Sequence, residues 1–189
     1  MKKMHKALLL VLCAVLLVAA SVMGTLAYLT HTTETVTNTF TIGKVGITLD
    51  ETDVDVYGVK DGDTRVTKNT YKLIPGREYV KDPIIHVDAD SENCWVFIKM
   101  NNGLGEAAAI TIDTANWTLL ESTADGAVYA YNTQMAAGES TAALFSNFTF
   151  ASDADPETYD GKTITLIGYA VQADGFDTAA EAWDASFGA

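Results

Sequence analysis

Apolar and polar residues alternate with a period of two along several short stretches of the chain, and glycine or Asx residues separate these stretches. Such alternation predicts half-buried β-strands, because successive side chains of a strand point to opposite faces. The pattern therefore predicts an all-β fold of about eight strands, either a sandwich or a barrel. The clearest stretches are residues 70–74, 83–87, 95–100, 117–120, 127–131, 142–150 and 163–173.

Turn signals divide the first part of the chain. The parity of the apolar residues reverses at Gly43, which predicts one long strand over residues 40–49 that is bent or bulged there. Residues 50–69 are acidic and rich in turn formers, and a hairpin turn is predicted at residues 61–63. Pro75 and Gly76 suit the two central positions of a type II turn, which would end the strand over residues 70–74.

Pairing and the C-terminus can also be anticipated. A short polar loop separates residues 83–87 from residues 95–100, so we expect these strands to be antiparallel neighbours. The glycine- and alanine-rich residues 103–109 are predicted to be a mobile loop. A short helix with Asp177 as its N-cap is predicted near the C-terminus, with Trp183 packed on a sheet or closing one end. No repeat or linker divides residues 28–189, which predicts a single β-sandwich domain.

The first 27 residues have the layout of a secretory signal peptide. Three lysines precede an unbroken apolar run over residues 7–20, and the small residues Thr25 and Ala27 occupy the positions that a signal peptidase reads. Cleavage is predicted after Ala27, which makes Tyr28 the mature N-terminus. An uncleaved membrane anchor is the alternative, because the apolar stretch almost reaches the ~20 residues that a bilayer requires.

Charge excludes some partners. The chain has a formal charge of −13, and removal of the signal peptide leaves nine basic residues against 25 acidic ones, a charge of −16. Nucleic acid is not an expected partner, because there is no basic cluster to release counterions. Stable association with an anionic membrane after cleavage is not expected for the same reason. Cys94 would be the one remaining cysteine, and we expect it to be a buried apolar residue without a disulfide.

The N-terminal quarter resembles a known family. Residues 24–30 are Gly-Thr-Leu-Ala-Tyr-Leu-Thr, and residues 38–43 form an Asn-x-Phe-x-x-Gly motif. These resemble the SipW-dependent signal-peptide proteins of Gram-positive bacteria, such as the TasA and camelysin (CalY) families. Residues 73–83 and 167–176 are similar to stretches of the wider class. The chain is shorter than TasA, and much of the middle of TasA has no visible counterpart in it.

This resemblance implies a jelly-roll β-sandwich that is exported by a signal peptidase of the SipW type. It also implies a secreted or surface-held protein that, in TasA-like relatives, polymerises into biofilm-matrix fibres. Residues 28–38 would be either a flexible terminus or part of a strand donated to the next subunit, which would extend to Phe40 and include Val36 and Asn38. Their high β propensity and few apolar side chains suit pairing with an open sheet edge.

Motifs for enzyme chemistry are missing. The sequence has no His-Glu-x-x-His, no Gly-x-Ser-x-Gly and no Cys-x-x-Cys, so we expect no enzymatic activity and no cofactor. Camelysin-like relatives carry a metallopeptidase label, but no zinc motif supports that label here. His86 lies in an apolar alternation and is predicted to be a surface or hydrogen-bonded strand residue.

Acidic loops offer the better candidates for a ligand site. Asp88, Asp90 and Glu92 are spaced two residues apart in a loop between two predicted strands, and calcium prefers oxygen ligands, so weak calcium binding is predicted there. The leading functional hypothesis is a non-enzymatic extracellular subunit of a biofilm matrix or cell surface that self-assembles. The alternative is a monomeric binding or adhesion module with acidic cation-binding loops.

Overall fold

The computed structural model describes residues 2–29 and 43–188. These form two compact units, which divide between Thr41 and Ile42. The first unit contains one helix, α1 (Lys2–Leu29), and the apolar side chains described along it, such as Leu8 and Leu17, are exposed. In the described ranges, no helix has the length and hydropathy of a membrane-crossing segment.

The second unit is mainly β-structure, which confirms the predicted all-β class. Its elements in chain order are β1 (Ile47–Val54), β2 (Lys60–Val66), β3 (Glu78–Val80), β4 (Ile84–Val87), β5 (Cys94–Asn102), β6 (Ala108–Ile110), β7 (Trp117–Thr123), β8 (Gly126–Tyr131), β9 (Asn147–Phe150), β10 (Ile164–Gln172) and α2 (Ala179–Ser186). Short 3-10 helices lie at Gly105–Ala107 and Pro156–Tyr159.

All the strands pair antiparallel, in three sheets. Their strand orders are β2-β1-β4, β10-β5-β8-β7 and β3-β9-β6. The main core lies between the first two sheets, where Ile85 and Val87 of β4 pack with Val96, Ile98 and Met100 of β5. This face-to-face packing makes the unit sandwich-like.

The outer face of the four-stranded sheet is covered by α2. Trp183 is 6% exposed and packs against Phe97 and Tyr169, as the sequence predicted. The N-cap is Thr178 and not Asp177, because the Thr178 hydroxyl accepts from the Glu181 N–H and the Glu181 side chain reaches back to the Thr178 N–H, which completes a capping box.

The first hairpin turn differs from the prediction. It lies at residues 55–59, where the Asp55 carboxylate accepts from the N–H groups of Tyr57 and Val59 and Gly58 has a φ of +72°. Residues 61–63 lie inside β2, opposite a register shift in β1. An Asp-Gly pair also fits a β-bulge, and the sequence does not distinguish the two. Of the strand predicted over residues 40–49, residues 40–42 lie outside the described ranges and residues 43–46 precede β1.

The predicted strand over residues 70–74 is also wrong. The Tyr79 hydroxyl accepts from the Ile74 N–H and donates to the Lys72 carbonyl, so a side chain replaces the partner strand. The turn that follows is confirmed, because the Arg77 N–H donates to the Ile74 carbonyl and Gly76 has a φ of +75°.

Three further expectations need correction. The strands near residues 83–87 and 95–100 exist but are not neighbours, because β4 pairs with β1 and β5 pairs with β8 and β10. Only Asn147–Phe150 of the predicted strand 142–150 is a strand. Residues 103–109, predicted to be a mobile loop, contain a 3-10 helix and the start of β6, with Ala107 and Ala108 buried.

Candidate functional site

The longest regular sheet edge in the second unit belongs to β10. Its nine residues pair with β5 without a register shift, and no strand in the described ranges pairs with its other side. The other edge strands are less suitable as pairing surfaces. The pairings of β2 and β7 contain register shifts, β3 and β6 have three residues each, and the outer side of β4 forms a bridge with Ser140.

Hydrogen bonds at the two ends of β10 show which backbone groups face this edge. The Gly103 N–H donates to the Thr163 carbonyl at 2.9 Å, and the Ala173 N–H donates to the Asn93 carbonyl at 2.7 Å. Antiparallel bonding alternates along a strand, so the odd-numbered residues of β10 bond to β5. The outward-facing N–H and C=O groups are therefore those of Ile164, Leu166, Gly168, Ala170 and Gln172.

The first part of this edge, residues 164–168, lines a groove of about 1300 Å³, which we call the β10 groove. It is lined by residues 66–73, by residues 156, 157 and 159–168, and by the apolar side chains of Phe148 and Leu104. Leu49 also lines the groove, and a methyl group placed on Gly168 would be 3.6 Å from the Leu49 Cβ. The groove therefore combines unpaired backbone groups with an apolar lining, which is the arrangement that strand addition uses.

A buried ion pair lies beside the β10 groove. The Lys81 ammonium contacts the Glu51 carboxylate, and the two side chains are only 7% and 6% exposed. The Asn69 amide donates to Glu51 Oε1 at 3.0 Å and to the Thr52 carbonyl at 2.8 Å. Burial, together with the nearby Glu51 carboxylate, raises the pKa of Tyr71 well above its ordinary value. The groove wall is thus held by satisfied polar contacts.

Lysines also line the β10 groove. Lys68, Lys72 and Lys162 are exposed and form no ion pair within the described part of the chain. Sequence reasoning did not identify this groove. Its lining comes from segments about ninety residues apart, and no local motif brings them together.

Two of the three residues predicted to bind calcium, Asp88 and Asp90, are already partnered with a cation. Lys44 Nζ lies 3.0 Å from both carboxylate oxygens of Asp90 and 3.8 Å from Asp88 Oδ2. The hydrogen bond from Lys44 holds the pKa of Asp90 below its ordinary value. Within residues 2–29 and 43–188, no group of three or more His, Cys, Asp or Glu side chains is arranged to hold a metal ion. Calcium binding by Asp88, Asp90 and Glu92 stays a prediction, and calcium would have to displace Lys44.

His86 is a hydrogen-bonded strand residue, as predicted. Its Nδ1 lies 2.7 Å from Ser140 Oγ, and its Nε2 lies 3.0 Å from Asp50 Oδ1. Arg65 Nε donates to the same Asp50 oxygen at 2.5 Å, and Arg65 Nη1 lies 3.1 Å from Asp82 Oδ2. This row of polar side chains crosses β4, β1 and β2 and ties the three strands together.

Cys94 is fully buried, as predicted, and burial raises the pKa of its thiol. A raised pKa keeps the thiol protonated and unreactive at neutral pH. The predicted cleavage residues Thr25, Ala27 and Tyr28 lie toward the end of α1. Val36, Asn38 and Phe40, which were predicted for strand donation, lie outside the described residues.

Comparison with known proteins assigns no family. No protein-family model, curated protein or solved structure matches the chain. The resemblance to the SipW-dependent proteins therefore rests on short motifs and stays a prediction.

Proposed function

We propose that this chain is a non-enzymatic extracellular structural protein, a self-assembling subunit of a cell surface or biofilm matrix. In this proposal, the β10 edge of one copy accepts the segment over residues 28–40 of another copy as an added strand. The observation that carries the proposal is the unpaired edge of β10, which is nine residues long and regular in register and lines a groove along residues 164–168. Strand addition gives affinity through main-chain hydrogen bonds.

The donor segment has suitable properties. Residues 28–40 are rich in threonine and contain Val36 and Phe40, but few other apolar side chains. Such a segment has high β propensity and little apolar surface to bury within its own chain. Pairing with β10 would satisfy its backbone and bury its few apolar side chains.

The proposal includes the export route and a finer fold class. The basic start, the apolar run and the small residues before Tyr28 support secretion through a signal peptidase of the SipW type. The two facing antiparallel sheets are compatible with a jelly-roll order of strands. In this view the protein resides outside the cell, in the matrix or on the surface.

The same groove supports a second candidate function. A groove of about 1300 Å³ that contains both lysines and apolar residues could hold a ligand in a monomeric binding or adhesion module. This candidate predicts a chain that stays monomeric under every condition. The two candidates are therefore separated by the state of association.

The test is light scattering of the exported protein across a series of salt concentrations and pH values. We compare the mature chain with a chain trimmed to begin after Asn38, and with an Ala170→Pro variant. Proline at this position removes an outward-facing N–H and leaves the bonds to β5 intact, as in natural edge strands. Both changes are expected to abolish assembly, and circular dichroism verifies that the sandwich is still folded.

Equal scattering from the mature and trimmed chains would discard strand donation. A persistent monomer under every condition would favour the binding module.

A further inference from the structure

Three side chains with complementary chemistry meet beside the β10 groove. The Lys81 ammonium contacts Oε2 of Glu51, and the Asn69 amide nitrogen donates to Oε1 of the same carboxylate at 3.0 Å. An amine and a carboxamide are thus held by the two oxygens of one carboxylate. These groups are a nucleophile, an electrophile and a group that can move protons between them, which is the set that a reaction of lysine with asparagine requires.

The amine and the carboxylate are almost completely shielded from water, because the side chains of Lys81 and Glu51 are only 7% and 6% exposed. Transfer of a proton from the ammonium to the carboxylate cancels both charges, so the protein interior opposes this transfer less than water does. The neutral amine that results is the nucleophilic form of lysine. The buried pair therefore gives access to a nucleophile that an exposed lysine rarely provides at neutral pH.

The Asn69 carboxamide is held by hydrogen bonds on both of its polar atoms. Its Oδ1 accepts from the Val54 N–H at 3.1 Å, and its Nδ2 donates to the Thr52 carbonyl at 2.8 Å as well as to Glu51. Attack on Cγ places negative charge on Oδ1, where a fixed backbone N–H stabilises it. The nitrogen that must leave is already hydrogen-bonded to the carboxyl group that can protonate it.

We propose that Lys81 and Asn69 form an intramolecular amide bond, with Glu51 as the acid–base group of the reaction. Lys81 Nζ bonds to Asn69 Cγ, and the bond between Cγ and Nδ2 breaks. Two protons of the ammonium pass through the Glu51 carboxyl to Nδ2, which leaves as ammonium, so no oxidant or reductant takes part. Each chain reacts once with itself, so the product is a modification and not enzymatic turnover. The ion pair is the state before this reaction.

The amide bond would be a covalent tie in a unit that has only one cysteine, Cys94, and so no disulfide of its own. It closes a loop over residues 69–81 and joins the segment that lines the β10 groove to the residues between β3 and β4. Such a cross-link stabilises a protein mainly by restricting its unfolded chain. The inference goes beyond the proposed function and does not depend on whether copies assemble.

Mass spectrometry of the full exported chain tests the inference. After incubation of the folded protein, the wild type is expected to weigh one ammonia molecule less than its sequence requires. A tryptic digest should contain residues 69–72 joined to residues 78–99, without cleavage after Lys81. This joined peptide identifies the bond in the wild type and requires no variant.

Matched variants assign the three roles. Asn69→Ala, Lys81→Arg and Glu51→Gln remove the electrophile, the nucleophile and the acid–base group, and each should keep its full mass. Asn69→Asp should lose one water molecule and reach the mass of the reacted wild type, because both give the same amide. Lys72→Arg is the control, since Lys72 is exposed in the same segment, and it should still lose ammonia. Circular dichroism checks that each variant is folded.

The melting temperature gives a second readout on an unchanged sequence. Chain refolded from inclusion bodies starts at full mass, so it provides the unreacted form, and the stability of the ion pair is measured on this form. The reacted wild type is expected to melt about 10 °C above it.

Two results would overturn the inference. If the folded wild-type chain keeps its full mass after prolonged incubation, Lys81 and Asn69 do not react. If Lys81→Arg also loses ammonia, the loss comes from an asparagine that cyclises onto its own backbone. Either result leaves strand addition at β10 untouched, because that proposal is tested by scattering.

Discussion

Lys81 and Glu51 form an ion pair from which solvent is almost completely excluded, with 7% and 6% of their side chains exposed. The pair joins β1 to the segment between β3 and β4, and it lies next to the β10 groove. Asn69 donates to the same carboxylate, and Lys81 Nζ lies 6.0 Å from the centre of the Tyr71 ring. Desolvation of both charges is balanced here by good geometry and additional hydrogen bonds.

Removal of one partner of this pair should be severe. Glu51→Leu or Lys81→Met alone is expected to lower the free energy of unfolding by about 3–5 kcal/mol, because the other charge remains buried and unpaired. The double variant should lie within about 2 kcal/mol of the wild type. Urea denaturation of the wild type, the two single variants and the double variant completes a double-mutant cycle. Additive effects of the two single variants would show that the two side chains are not coupled.

Acid should weaken the three-stranded sheet through Asp82. Although burial opposes it, hydrogen bonds from Thr52 and Arg65 hold the pKa of Asp82 below its ordinary value. The carboxylate therefore contributes stability above the unfolded-state pKa of about 4, and this contribution is lost as pH falls through the lower folded-state pKa.

Asp82→Asn should lower the free energy of unfolding by about 2 kcal/mol at pH 7 and flatten the loss of stability below pH 4. The exposed Asp153→Asn serves as the control. Denaturant midpoints between pH 2 and 7 provide the measurement, and an unchanged slope in Asp82→Asn would contradict the assignment.

Assembly should accelerate with ionic strength. The repulsion between chains of charge −16 is screened as the Debye length falls from ~30 Å at 0.01 M to ~10 Å at 0.1 M salt. Scattering should therefore rise slowly at low salt and faster in sodium chloride, calcium or mild acid. If calcium acts no better than sodium at equal ionic strength, screening is sufficient and the Asp88, Asp90 and Glu92 site is unnecessary for assembly.

The exported protein should begin at Tyr28. Thr25 and Ala27 provide the small residues that a signal peptidase reads, so intact-mass analysis of secreted material is expected to show loss of residues 1–27. Recovery of protein that retains Met1 would indicate an uncleaved anchor.

No zinc-dependent peptidase activity is expected. The His86 ring contacts Ser140 and Asp50, and its neighbour Arg65 neutralises Asp50, so the imidazole holds strands together. His86→Ala should leave proteolysis of casein at the background rate of the wild type. Cleavage that needs zinc and disappears in His86→Ala would overturn the non-enzymatic proposal.

Local patterns predicted several elements well. Runs of β-forming apolar residues located β5, β8 and β10 within one or two residues, because side chains of these strands pack into the cores. The type II turn at Pro75 and Gly76 followed from backbone preferences alone.

The wrongly predicted strands and strand pairings have a common physical cause, because hydrogen-bond partners distant in sequence decide which segments become paired strands. Residues 70–74 alternate like a strand, yet the Ile74 N–H and the Lys72 carbonyl bond to the Tyr79 hydroxyl and the Lys72 N–H donates to the Val56 carbonyl. β4 follows β3 and precedes β5 in the chain but pairs with β1, which no turn signal reveals. The β10 groove could not be predicted because an edge is defined by a missing neighbour, and a sequence shows only which neighbours are possible.

Because β10 is regular and the other edge strands are short or irregular, the fold also limits how many neighbours each subunit can bind. If β10 is the single acceptor and residues 28–40 are the single donor, each copy has one acceptor edge and one donor segment, which differ from each other. Such a heterologous interface forms a closed ring only if the rotation between neighbouring copies permits it, and otherwise it forms an open filament. The register shifts of β2 and β7 would then keep side branches from starting, so the product would be an unbranched thread with two unlike ends. One end would present an empty groove and the other a free Tyr28 segment, and a soluble peptide of residues 28–40 would stop growth at only the first of these.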